Sequence, residues 1–126
     1  MTGLMWTHTI HLPGTLAANA GGVIALPLQG ARLVAVAACG SNANDAKLTL
    51  GTADDPDGIL VAGAIGDAST PVVFTEKQFD GALADPLKLS APHFAKNTVL
   101  TWALDFDGAG GTAAANVDIE LFFLEG

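Results

Sequence analysis

The sequence predicts an all-β fold, a single-domain antiparallel β-sandwich of jelly-roll-like form with about eight strands over its 126 residues. Three observations carry this. Apolar residues recur at every second position through most of the chain, the pattern of a strand with one dry face. Clusters of Gly, Pro, Asn and Asp separate these runs at short intervals. Only one stretch, 76 to 96, lacks the alternation, and strands in unbroken succession favour a sandwich over an α/β arrangement.

The first run, Met5 to Leu12, sets Trp6, His8, Ile10 and Leu12 against Thr7, Thr9 and His11, and Pro13-Gly14 ends it. Residues 1 to 12 therefore read as an edge strand or an N-terminal arm. Val23 to Leu28 and Arg32 to Cys39 follow as two apolar runs. Pro27 has no backbone N–H to give a central ladder, so the second strand is expected at an edge, or bulged. Lys47 to Gly51 resumes the alternation with Leu48 and Leu50 on one side. Asp54-Asp-Pro-Asp-Gly58 is a strong turn signal, since Pro presets φ and Gly tolerates positive φ. Ile59 to Ile65 and Val72 to Thr75 read as further strands. The stretch 76 to 96, with Pro86 and Pro92, is either a long crossing connection or holds one short helix around Glu76 to Leu83.

The last thirty residues alternate most clearly. Leu100, Trp102, Leu104 and Phe106 share one parity, as do Val117, Ile119, Leu121 and Phe123 after the link Asp107-Gly-Ala-Gly-Gly-Thr112. Two such runs joined by a Gly/Ala turn predict a long β-hairpin. Phe122 and Leu124 break the pattern by placing apolar groups on the wet parity, and residues 33 to 38 are dense in Val and Ala. A second apolar face packs on something, either another segment of this chain, with 76 to 96 the candidate, or another subunit.

Composition narrows the function. The formal net charge is −8 with only five Lys and Arg, which argues against nucleic acid as a partner, because phosphate binding draws on cations. The same charge and the lack of a polybasic segment argue against a membrane partner. The N-terminus lacks a basic region followed by an apolar core, and no segment is long enough to span a bilayer, so a soluble protein made in the cytosol is expected. Cys39 is the sole cysteine. No internal disulfide is possible, and its place at the end of an apolar run predicts a buried, inert thiol.

No site chemistry stands out. Three loops cluster oxygen ligands: Asn42, Asn44 and Asp45; Asp54, Asp55 and Asp57; Asp105 and Asp107. Their spacing is not that of an EF-hand, and Asp and Asn populate turns for backbone reasons. His8 and His11 fall on opposite faces of a strand and His93 is remote, so no zinc set forms. The serines lack a nucleophile elbow, and two Trp with no Tyr are poor material for a glycosidase cleft. Gly108 to Gly111 has neither the Lys nor the helix of a phosphate loop. The expectation is no catalytic residue, no metal and no cofactor.

The segment Leu48-Thr-Leu-Gly-Thr-Ala-Asp-Asp-Pro-Asp-Gly-Ile-Leu60 and the ending Asp118-Ile-Glu-Leu-Phe-Phe-Leu-Glu-Gly126, within a short Ala/Gly/Thr-rich chain, resemble small virion proteins of tailed bacteriophages, of the head decoration (cement) and head-fibre type. The resemblance implies a non-enzymatic protein made in the host cytoplasm and placed on the capsid exterior, commonly as a trimer, where it locks neighbouring copies of the major capsid protein. A homo-oligomer is then expected, with Met5, Trp6, Phe122 and Leu124 as interface candidates, the first two anchoring an N-terminal arm. The alternative is a carbohydrate- or receptor-binding module of a phage fibre, with or without calcium, using Trp6, Trp102 and the acidic loops.

Overall fold

The computed structural model describes residues 4–26 and 30–125. Among the described residues there are nine strands: β1 (Met5–Thr15), β2 (Ala20–Ala25), β3 (Ala31–Cys39), β4 (Lys47–Thr52), β5 (Leu60–Ala64), β6 (Val72–Phe74), β7 (His93–Phe94), β8 (Val99–Asp105) and β9 (Ala115–Glu125). They form the expected antiparallel sandwich. One sheet has the order β1-β9-β3-β6, with the short β7 also on β3, and the other has the order β2-β8-β4-β5.

The alternation identifies the dry side of each strand. Leu100, Trp102 and Leu104 of β8 are buried, as are Val117, Ile119, Leu121 and Phe123 of β9, and all seven belong to one continuous core with Leu33, Val36, Leu48 and Leu50. Phe106, which shares that parity in sequence, lies beyond β8 and is half-buried. Burying large aliphatic and aromatic side chains of this kind is worth about 1.5–3 kcal/mol each, which is what holds the two sheets together.

The C-terminal hairpin is not formed. β8 pairs with β2 and β4, whereas β9 pairs with β1 and β3, so the two runs lie in opposite sheets with their apolar faces toward a common core. The reason lies in the connections. The chain crosses between sheets at 40–46 and again at 106–114, and these two crossings bind each other. Asn42 donates to the Ala113 carbonyl and accepts from the Ala115 N–H, while Asp45 accepts from the Thr112 N–H. A Cβ on Gly108 would meet the Asp45 carbonyl. The link is therefore shaped to dock on the β3–β4 loop.

Other expectations are met with adjustments. β2 lies at the end of its sheet, as an edge strand should, although Pro27 is outside the described residues. β1 runs three residues past Leu12, with its register shifted between Leu12 and Thr15 where Pro13 and Gly14 sit. No helix forms around Glu76 to Leu83. The Gln78 and Phe79 N–H groups both donate to the Thr75 carbonyl, making a turn that drops Phe79 into the core. Cys39 is half-buried and not in the core, because its parity on β3 faces away from the opposite sheet.

Candidate functional site

The acidic loops resolve into turn chemistry. Asp67 accepts from the Ser69 and Thr70 N–H groups and from the Thr70 hydroxyl, which holds its carboxyl below the usual carboxylate range. Asp105 and Asp107 both accept from the Ala109 N–H. Asp55 is pushed up, chiefly by a hydrogen bond with Asp57 and further by burial and the Asp57 charge. Among the described residues, no three His, Cys, Asp or Glu side chains are grouped to hold a metal ion.

The feature with the strongest potential for recognition is the outer face of the β1-β9-β3-β6 sheet. Directly opposed residues in antiparallel strands share a face, so the pairings Met5↔Leu124, Thr7↔Phe122, Thr9↔Glu120 and His11↔Asp118 put eight side chains on this outer surface. β3 continues it with Arg32 beside Leu124, Ala35 beside Phe122, Ala37 beside Glu120 and Cys39 beside Asp118, and β6 adds Val73 beside Ala37. A register shift between Leu33 and Ala35 marks a bulge in β3. Met5, Val34, Ala35, Ala37, Val73 and Phe122 line an open depression of about 370 Å³. Met5 and Val73 are 61% and 54% exposed.

Polar groups frame this apolar centre. Arg32 lies at one end and donates to the Ala91 carbonyl at 3.2 Å. Glu120 and Asp118 lie at the other, where His11 Nδ1 sits 2.6 Å from Asp118. The segment 76–96 does not fold over this face. Its first half bonds to Gly58 and Ile59 beside the other sheet, through the N–H groups of Asp80, Gly81 and Leu83, and its end joins the margin of this sheet, where β7 pairs with β3 and the Leu33 N–H donates to the Pro92 carbonyl.

The interface candidates thus divide. Met5, Phe122 and Leu124 share the outer face. Trp6 takes the opposite parity and stacks on Phe123, so it does not accompany Met5 as an exposed anchor, and β1 is bound along its length to β9 instead of standing free as an arm. Val34 belongs to the Val/Ala-dense run 33 to 38 that marks a second apolar face in the sequence, whereas Val73 carries no such signal, since a three-residue strand leaves no alternation to read. Nor do Leu87 and Leu89, which are 72% and 78% exposed in the 76–96 segment. Their loop is ordered by Asp85, which accepts from the N–H groups of Leu87, Leu89 and Ser90 and from the Ser90 hydroxyl. Lys88, at φ 59, donates to the Phe79 carbonyl.

A chain of the cyanophage Pam1 capsid asymmetric unit superposes on this structure with a TM-score of 0.51 at 16% sequence identity, over 98% of this chain and 86% of that one. The likeness is one of fold. No known family's sequence profile matches the chain, and no curated protein matches it.

Proposed function

We propose that the chain is a non-enzymatic structural protein of a tailed-phage virion, decorating and stabilising the capsid exterior through contacts with itself and with the major capsid protein. The observation that carries this reading is the fold likeness to a chain of a phage capsid asymmetric unit across nearly the whole length. The strand order supports it: β1-β9-β3-β6 and β2-β8-β4-β5, with β7 as an added bridge, fit the two Greek keys expected of a jelly roll. An exterior stabiliser needs a rigid scaffold and a surface for association. The outer sheet face supplies that surface, with Met5, Phe122 and Leu124 as its contact residues. The phage resemblance of the sequence implies three copies per unit.

A carbohydrate- or receptor-binding module of a phage fibre is the weaker reading. Sugar platforms use exposed aromatic faces, and here Trp102 is 9% exposed while Trp6 is stacked on Phe123. The test is reconstitution: purified chain is added to capsids of the encoding phage prepared without it. Saturable binding that raises the temperature of capsid disruption is expected. Failure to bind at saturating concentration, with the capsids intact, would sink the decoration reading.

A further inference from the structure

We infer that the outer face of the β1-β9-β3-β6 sheet is the docking surface for a second copy of this chain, placed face to face about a dyad that crosses the strands at the Phe122–Ala35 row. The inference rests on the self-association part of the reading above, and not on where in the virion the protein sits.

The argument is the charge layout of the face. Arg32 stands in the row of Leu124 and Met5, Phe122 in the next row, and Glu120 in the row after that. An isologous contact brings each residue against the position related to it by the two-fold axis. A dyad lying across the strands at the Phe122 row exchanges the rows on either side of it. Arg32 of one copy then lies over Ala37 of the other, one strand away from Glu120, with which Ala37 is paired. The contact forms two symmetry-related Arg–Glu bridges around an apolar centre. An axis parallel to the strands leaves Arg32 facing the apolar Leu124 row, so the charges select the crossing orientation.

This matters for a chain of net charge −8. Two such molecules repel, and contact is favoured where cation meets anion and the remaining lining is uncharged. Arg32 is one of only five Lys and Arg residues, and it stands at the edge of the apolar depression.

The size of the face sets the strength. Four strands spaced about 4.8 Å apart and seven residues rising about 3.3 Å each describe a face of roughly 19 by 23 Å. That is below the roughly 800 Å² per partner of a standard stable interface, so the pairing is concentration-dependent. A closed trimer needs a head-to-tail contact between different surfaces. The trimer proposed above would therefore close elsewhere on the molecule, and the dyad would join two such units.

The experiment measures the mass of the full chain by light scattering and sedimentation across a concentration series, for the wild type, Glu120→Arg, Arg32→Glu and the double exchange. The wild type is expected to reach an even number of copies, two or six. Each single reversal weakens that association by roughly tenfold or more, and the double exchange restores it. Rescue by the double exchange separates a direct charge contact from damage to the fold. A monomer at every concentration overturns the inference and the self-association reading together. A trimer that never doubles, or an even assembly indifferent to all three variants, overturns the inference alone.

Discussion

Trp6 and Phe123 stack with ring centroids 4.3 Å apart and planes 14° from parallel. They are directly opposed across the β1–β9 ladder, on the core side of the sheet, and Phe123 is fully buried while Trp6 closes the edge. The pair locks the edge strand, and with it the position of Met5 on the other face. Phe123→Ala is expected to cost about 3–5 kcal/mol, because it empties a site that the surrounding strands cannot close. Trp6→Ala is expected to cost less, since its ring keeps some contact with water. Urea unfolding monitored by far-UV circular dichroism tests both; equal costs would contradict the assigned burial.

The sheet-crossing connections 40–46 and 106–114 are held together by Asn42. Its side chain bonds to backbone groups of Ala113 and Ala115 at 2.9 and 3.0 Å. Asn42→Ala leaves those groups unpaired at a part-buried site, with an expected loss of about 1–3 kcal/mol. Amide exchange of Ala115 is expected to quicken more than that of Thr101 in the other sheet. Uniform quickening would mean that the connections are not locally coupled.

Gly51 lies in β4 where the Asp54–Gly58 turn folds back. A Cβ there would meet backbone atoms of Asp55 and Pro56, which cannot rotate away as a side chain tip does. Gly51→Ala is expected to lower stability by about 1–3 kcal/mol. An unchanged melting temperature would show the turn to be looser than this contact requires.

Asp85 organises the loop that displays Leu87 and Leu89. Its pKa is lowered, first by the Leu87 N–H and then by the Ser90 hydroxyl. A carboxyl whose folded pKa is depressed contributes order that is present above its unfolded pKa and lost as pH falls through the folded value. Exchange protection at Leu87, Leu89 and Ser90 is therefore expected to hold at neutral pH and fail below the usual carboxylate range. Asp85→Asn should remove that pH dependence. Asp55 behaves oppositely: its raised pKa favours its turn at low pH, an advantage lost as pH rises through the folded value. The same loop protection at acidic and neutral pH would contradict the role given to Asp85.

Much of the strand inventory was legible because period 2 is a local property. Leu48, Leu50, Leu100, Trp102, Leu104 and the odd positions of 117 to 123 are buried as their alternation requires. Phe122 and Leu124 were visible as apolar groups on the wrong parity, and that is where the outer face lies. The sequence by itself determined the fold class, the dry side of each long strand and the excess of apolar groups on a second face. Only the tertiary structure decided which strands pair, because alternation marks a face without naming a neighbour. It separated β8 from β9 by docking the Gly-rich link on Asn42 and Asp45. It paired Trp6, which shares the apolar parity of Ile10 and Leu12, with Phe123, and it brought Met5, Val34, Val73 and Phe122 together from four strands, residues that no sequence spacing relates.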